Sequence, residues 1–424
     1  MGIAFDIQEY WDLSDAQAAL EATLSSHGDA IAEFEKAFAS FTGGLDAVFL
    51  ISGREALYQA LKLIGVGAGD QVILSAFNCA RVPDAVLRCG AVPVLVDVEL
   101  PGGEMDLDLV KQVLSPKVRA VVIPHLYGIP VDFRAIKSEL ERHGVVIIED
   151  CAHCLGGTIG GQVPGSLGAF SIFSFNTGKP ITLGNGGMLV CSDADWLDAF
   201  RHQKTRLRQD YSTDAHEEFE DIKKILDSLA SLRSQTRQGR SPKNLTIPKW
   251  RLLRHPIGLT GLWLYNRLRP AAPLTFPFND EFSRVGAVRA HLGLSLLRQW
   301  PEILALRNRN AEYLRSRIQE GPWGETCTVP ADIQPAYYKL NLFADELTAR
   351  QVECVIARLR LSGFWAGRWP FINHVPRLVG RLRRGSRLPN IHRMAAHGLH
   401  LPIHQNMIRQ DLDRMLDILW SAKP

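Results

Sequence analysis

Short apolar runs alternate with amphipathic helical patterns over roughly the first 200 residues. An amphipathic helix is predicted over 29–44, and further helices over 55–64, 83–89, 107–114 and 133–142. Between and around these helices the sequence predicts short, apolar strands at 48–51, 71–74, 92–96, 120–124, 145–149 and 169–173. Apolar strands separated by helices indicate βαβ units and a mostly parallel, buried sheet.

The pattern changes after residue 200. Arginine and lysine become frequent, the alternation stops, and we predict a basic helical insertion over 201–275. Helical periodicity returns from 281 to 318, and the last hundred residues mix short strands and helices. We therefore predict four units. They are a large domain 1–200 with an N-terminal arm 1–28, the insertion 201–275, connecting helices 276–320, and a small C-terminal α/β domain 321–424.

The composition excludes several classes of protein. Of the 424 residues, 46% are hydrophobic and 22% are charged, as in ordinary globular proteins, and the net charge of +3 does not favour nucleic-acid binding. We expect no signal peptide and no spanning helix, because no basic n-region or run of ~18 apolar residues occurs. Seven scattered cysteines favour a reducing cytoplasm, and Cys151-x-x-Cys154 lacks the second ligand pair of a zinc site. No metal is predicted.

Two predicted strands are followed by polar residues that could carry chemistry. Ser52, Gly53 and Arg54 follow strand 48–51 and open a helix, where they either cap it or bind a phosphate at its N-terminus. Asp150 follows strand 145–149 and could be a cap, a metal ligand or a cofactor partner. In an open parallel sheet, ligands bind at the carboxyl ends of the strands, so both positions are candidates for one site.

A third strand end adds Ser174 and Lys179, before the glycine-rich segment 184–187. A lysine on a turn is usually a solvated surface charge. Together with Asp150 and the Ser-Gly helix start, however, it matches what a pyridoxal-phosphate site needs. The lysine supplies a Schiff base, the acid keeps the pyridine nitrogen protonated, and the serine with the helix N-terminus holds the phosphate.

Several motifs in order give the chain a resemblance to a known family. They are SGREAL (52–57), GDQVIL (69–74), GAVPVLVDV (90–98), PHLYGIPVD (124–132), VIIEDCAHCLGG (146–157), GSLGAFSIFSFNTGK (165–179), GNGGML (184–189) and LPIHQNMIRQDLDRMLDIL (401–419). The chain resembles the DegT-type sugar aminotransferases, which are fold-type-I pyridoxal-phosphate (PLP) enzymes. The resemblance implies an α/β fold, with a mostly parallel seven-stranded-type sheet flanked by helices and a small C-terminal α/β domain.

The resemblance also implies roles for individual residues. Lys179 lies at the position of the Schiff-base lysine, which also moves the proton between substrate carbon and cofactor. Asp150 matches the carboxylate at the pyridine nitrogen, and His153 matches a position that contacts the ring or its hydroxyl. Ser174, with the backbone of Gly53 and Arg54, matches the phosphate-binding set, which we predict to include Ser52.

The chain departs from the family pattern at several positions. Arg54 replaces a common threonine, and we interpret it as a phosphate ligand. Cys79 stands where the family often has an aromatic ring over the cofactor, a role that Phe77 could take. The family often supplies an Asn-x-Arg element from the partner subunit. Here Arg284 aligns with it, but Phe282 stands at the asparagine position.

The implied function is transfer of an amino group from glutamate or glutamine to a keto sugar, in a homodimer with a shared active site. A nucleotide-linked sugar is our first interpretation. A lipid-linked or cyclitol carbonyl substrate is an alternative, as is a PLP-binding protein without turnover. Residues 201–275 are either a solvated helical hairpin or a surface for peripheral contact with the inner face of a membrane. The second interpretation rests on the basic and Trp/Leu-rich stretch 249–268.

Overall fold

The computed structural model describes residues 13–25, 28–79, 81–210, 213–224, 285–320, 325–368, 383–384 and 387–421. Its main feature is an eight-stranded sheet in the order β1-β8-β7-β5-β4-β2-β3-β12. The strands are β1 Asp46–Leu50, β2 Gln71–Ser75, β3 Val92–Val96, β4 Val118–Pro124, β5 Val146–Asp150, β7 Phe170–Ser174, β8 Gly187–Cys191 and β12 Arg383–Arg384.

Among the described strands of this sheet, only β8 runs antiparallel to its neighbours, β1 and β7. The predicted mostly parallel sheet of seven strands is thus confirmed, and the two-residue β12 adds an eighth at the edge beside β3. The predicted strands correspond to β1–β5 and β7. Most of their side chains are buried on both faces, as expected for a parallel sheet that helices cover.

Six helices precede or connect the strands of this sheet up to residue 142, and α7 follows β8. They are α1 Leu13–Ser25, α2 Ala30–Thr42, α3 Gly53–Ile64, α4 Arg81–Arg88, α5 Leu107–Gln112, α6 Arg134–Arg142 and α7 Leu197–Asp210. The start of α3 follows from its sequence, because the Ser52 hydroxyl accepts a hydrogen bond from the Glu55 backbone N–H at 3.1 Å. Gly65 ends α3 in the left-handed conformation, with φ 78°.

A second sheet has three antiparallel strands in the order β13-β11-β9, with β9 Glu325–Thr326, β11 Leu340–Phe343 and β13 Gly398–Leu401. Helices α9 Ala349–Leu361, α10 Pro389–His397 and α11 Arg409–Trp420 accompany it. A separate two-stranded sheet pairs β6 Thr158–Ile159 with β10 Ile333–Gln334, and so ties the main-sheet region to the C-terminal part of the chain.

The 33-residue helix α8, Ala287–Gln319, belongs to two hydrophobic cores. Its first half, including Leu296 and Trp300, packs with α2 and the face of the main sheet. Its second half, including Leu314 and Ile318, packs with the three-stranded sheet. The helix therefore fixes one sheet against the other.

The beginning of α8 is capped by a buried carboxylate from the segment 213–224. Glu218 accepts hydrogen bonds from the backbone N–H groups of Gly286 at 2.6 Å and Val288 at 3.0 Å. It also pairs with the buried Arg289 at 3.2 Å, and Arg289 in turn donates to the carbonyl of Leu183 at 3.3 Å. The Arg289 guanidinium thus joins this segment to the strand-entry loop that carries Lys179.

The domain boundaries stay predictions. Helix α7 crosses the predicted border at 200, and Lys204 within it pairs with Asp46 on β1 at 2.7 Å. The basic and Trp/Leu-rich stretch 249–268 lies outside the described residues, as do Phe282 and Arg284. Among the helices that the structure describes, none is long and apolar enough to cross a membrane.

Candidate active site

Four strands present their carboxyl ends at one edge of the main sheet. Since β1 and β7 are both antiparallel to β8, β1 runs in the same direction as β4, β5 and β7. The chain leaves these strands at Ser52, at His125, at Asp150 and at Ser174, which precedes Lys179. The topology therefore brings to one edge polar residues that lie more than a hundred positions apart, as expected for an open α/β sheet.

A small cleft opens at this edge. It contains four residues that the sequence singled out for a cofactor, namely Cys79, Asp150, His153 and Lys179. The remaining lining residues are Asn78, Pro124, His125, Leu126 and Ala152. The amine, the carboxylate and the imidazole of the predicted set thus share one concave site.

Asp150 is buried, and the backbone N–H of Ala152 donates to its Oδ1 at 3.1 Å. Burial raises the pKa of this carboxyl, while the hydrogen bond from Ala152 and the charge of Lys179 act in the opposite direction. A carboxylate in this condition is stabilised by a further cation placed against it. It therefore fits the protonated nitrogen of a pyridine ring.

His153 is buried between aromatic rings. Its ring centroid lies 4.7 Å from that of Tyr338 and 6.4 Å from that of Tyr127. Burial, followed by the charges of Lys179 and Lys339, holds the pKa of His153 well below its usual range. The imidazole is therefore neutral, with one nitrogen able to donate and the other able to accept.

The predicted phosphate end of the site lies where α3 begins. A Cβ at Gly53 would lie 3.0 Å from the carbonyl oxygen of Phe173 and 3.0 Å from the Cβ of Ser174, so only glycine allows Ser174 to approach the first turn. A Cβ at Gly187 would lie 2.4 Å from the Gly53 backbone nitrogen. First-turn N–H groups have no intrahelical acceptor, and they fit a phosphate together with a hydroxyl.

The remaining residues of the predicted cofactor set, Ser52, Arg54 and Cys79, lie in different surroundings. The Ser52 hydroxyl serves the cap of α3. Arg54 is half-buried and lies near Asp84, on whose pKa its charge acts. Cys79 lines the cleft, and burial raises its thiol pKa despite Lys179 nearby. Phe77 packs in the hydrophobic core beside Tyr127, with a centroid distance of 6.0 Å.

The same arrangement of motifs occurs in known proteins. Residues 8–216 match the model of the DegT/DnrJ/EryC1/StrS aminotransferase family. Over that stretch, which is just under half of the 424 residues, the chain is similar to this family. The fold extends the similarity to the whole chain. A putative sugar aminotransferase from Streptococcus pneumoniae, solved in its PLP form, aligns with 100% of this chain and 98% of its own at a TM-score of 0.72. At 20% identity, this similarity shows the fold alone.

Curated relatives match part of the chain. GDP-perosamine synthase from Caulobacter vibrioides is 39% identical over 172 residues, which are 41% of this chain and 46% of that protein. L-glutamine:scyllo-inosose aminotransferase from Streptomyces griseus is 38% identical over 163 residues, or 38% of each chain. The match thus spans about half the length of these relatives or less.

Part of the candidate site comes from the C-terminal region. The Tyr338 hydroxyl donates to the carbonyl of Gly178, directly before Lys179. Lys339 lies close enough for its charge to act on the pKa of His153, and its Nζ lies 3.3 Å from His400 Nε2. No sequence pattern pointed to Tyr338 or Lys339 as part of the site, because they lie about 160 positions beyond Lys179.

One buried group beside the cleft has the residue types of a metal site, namely His125, Glu149 and Cys151. The backbone N–H of Val131 donates to His125 Nδ1 at 2.9 Å, so the ring proton lies on Nε2 and is donated to Glu149 at 2.9 Å. Burial, and then the charge of Glu149, raises the pKa of the Cys151 thiol well above its usual range. Both ring nitrogens of His125 are therefore hydrogen-bonded, and the Cys151 thiol stays protonated. This group has a structural role.

Proposed function

We propose that this protein is a PLP-dependent aminotransferase that transfers an amino group from glutamate or glutamine to a nucleotide-linked keto sugar. The observation that carries the proposal is the shared cleft of Lys179, Asp150 and His153 beside the first turn of α3. The match to the DegT/DnrJ/EryC1/StrS family model over residues 8–216 and the names of the matched relatives support it.

PLP, when bound, supplies an electron sink for the carbanion formed at the substrate carbon. The chain's own groups then have distinct tasks. The Lys179 amine would attach the cofactor and would carry the proton to and from the substrate carbon. The Asp150 carboxylate would keep the ring nitrogen protonated. Ser174 and the backbone N–H groups of Gly53 and Arg54 would bind the phosphate.

A second candidate substrate is a cyclitol ketone. The similarity to L-glutamine:scyllo-inosose aminotransferase favours it, at an identity comparable with that of the sugar aminotransferases. The homodimer with a shared site and the membrane contact through 201–275 are further proposals. The first rests on the family resemblance, and the second rests on the basic and Trp/Leu-rich composition of the insertion.

The test is the visible absorbance of the PLP-loaded protein before and after L-glutamate or L-glutamine. We expect the donor to bleach the band of the lysine-bound cofactor in the wild type but not in Lys179→Ala. Lys62→Ala, an exposed lysine on α3, is the matched control and should behave as wild type. A wild type that binds PLP yet reacts with neither donor would instead support a binding protein without turnover.

A further inference from the structure

Two nitrogen-bearing side chains lie buried at the C-terminal side of the cleft. Lys339 directly precedes β11 and is 5% exposed, and His400 on β13 is 3% exposed. The Lys339 Nζ lies 3.3 Å from His400 Nε2. Lysine side chains are rarely buried to this degree, because removing an ammonium group from water is costly. The proposed mechanism leaves this pair without a task.

The pair has an incomplete hydrogen-bond arrangement. An ammonium group only donates, so His400 Nε2 is the acceptor and the imidazole proton lies on Nδ1. In the described part of the chain, this buried Nδ1 has no hydrogen-bond partner. A buried donor left in this state is uncommon in proteins, and an external acceptor would satisfy it.

The aromatic ring of Tyr338 connects this pair to the catalytic cleft. The Lys339 Nζ lies 5.0 Å from the Tyr338 ring centroid, and the same ring packs on His153 at 4.7 Å. The Tyr338 hydroxyl donates to the Gly178 carbonyl. Lys339 is therefore separated by one ring from both His153 and the turn that carries Lys179.

The electrostatic surroundings favour an anion. Burial lowers the pKa of both His400 and His153, and the charge of Lys339 lowers both further. Both imidazoles are thus neutral, and they lie near the cations Lys339, Arg360 and Lys179. A low-dielectric site of this kind attracts negative charge and strengthens charge-assisted hydrogen bonds to it.

The position of the pair, one aromatic ring away from His153 and from the turn that carries Lys179, indicates which anion. In an amino-acid donor, the α-carboxylate is bonded directly to the carbon that exchanges its proton with Lys179. The diphosphate of a nucleotide sugar lies beyond the sugar ring. Building on the proposed function, we propose that Lys339 and His400 form the subsite for the α-carboxylate of the amino donor. Lys339 supplies the charge, and His400 Nδ1 supplies a second donor.

The experiment uses the PLP-loaded full chain and the variants Lys339→Met, Lys339→Arg and His400→Gln, with Lys62→Met as control. The bleaching rate, measured against donor concentration, separates apparent Kd from the maximal rate. We expect Lys339→Met to weaken L-glutamate and L-glutamine alike by ~10–100-fold, as for loss of a hydrogen bond to a charged group. His400→Gln should weaken both less, and Lys339→Arg should recover part of the affinity.

Comparing the affinities for L-glutamate and L-glutamine gives the first test of the proposal. Both carry an α-carboxylate, so equal weakening supports the proposal. Weakening of L-glutamate alone would overturn it, because only L-glutamate carries a second carboxylate on its side chain. Unchanged affinity for both donors in variants that retain the cofactor band would also overturn it.

Binding of unreactive anions, measured by calorimetry, gives a second decision that does not depend on turnover. Glutarate should lose affinity in Lys339→Met, whereas inorganic pyrophosphate should bind the wild type and the variant equally. Loss of pyrophosphate affinity with glutarate unaffected would overturn the proposal in favour of a diphosphate subsite. If the wild type reacts with neither donor, the proposed function fails, while Lys339-dependent glutarate binding would still support a carboxylate subsite.

Discussion

Glu149 and Asp150 are adjacent carboxylates at the end of β5, and their surroundings differ sharply. Glu149 accepts three backbone N–H groups, from Gly165, Leu167 and Gly168, at 2.7–2.8 Å and a fourth hydrogen bond from His125. Asp150 accepts a hydrogen bond from the backbone N–H of Ala152, and it faces the cleft with Lys179. Successive residues of a strand point to opposite faces, so one carboxylate serves the fold and the other remains available for chemistry.

The largest expected effect concerns Asp150→Asn. Asparagine keeps the shape but removes the negative charge that would hold the ring nitrogen protonated. We expect kcat to fall by ~10²–10³-fold, as for the loss of one preorganised electrostatic group, while the cofactor-free chain unfolds at the same or higher urea concentration. Steady-state kinetics measure kcat, and urea unfolding of the cofactor-free chain measures its stability. Retention of most of the activity would contradict the role assigned to Asp150.

Glu149→Gln should lower the stability of the fold, whereas Asp150→Asn should lower kcat. Its amide would place N–H donors against backbone N–H groups, so the network that joins β5 to residues 165–168 would lose acceptors. We expect the free energy of unfolding to fall by about 3 kcal/mol, since breaking a buried charged network is strongly destabilising.

Glu141→Gln, an exposed carboxylate on α6, is the control and should change stability little. If Glu149→Gln instead lost activity at unchanged stability, the contrast between the two carboxylates would be wrong.

The smallest effect is a pH dependence. Because burial raises the pKa of Asp150 in the folded chain, its protonated form is favoured there relative to the unfolded chain. Its contribution to stability is therefore fully present below the unfolded pKa of about 3.9 and is lost as pH rises through the folded pKa. The unfolding free energy of the cofactor-free wild type minus that of Asp150→Asn should therefore decline as the pH rises over this range. A value that rises with pH would contradict the direction of the pKa shift.

The sequence predicted the main sheet because its strands are short, apolar and separated by helices, a signal that needs only local residues. It also predicted Lys179 and Asp150 as neighbours, because parallel strands end at one edge, while the role of His153 came from the family resemblance. It could not identify Lys339. The position of Lys339 near the cleft depends on how α8 fixes the three-stranded sheet against the main one, which no spacing encodes. Nor did the residue types distinguish Glu149 from Asp150, since the partners of Glu149 lie 16–19 positions further along.

The cap of α8 by Glu218 bears on how this chain could be recombined with its relatives. A swap or deletion of the whole predicted insertion 201–275 would remove Glu218, and with it the anchor of Arg289 and its contact to Leu183 in the loop after Lys179. Loss of activity in such a chimera would then report a damaged catalytic loop rather than a missing recognition surface. Exchanges that begin after residue 224 and end before residue 285 keep this joint.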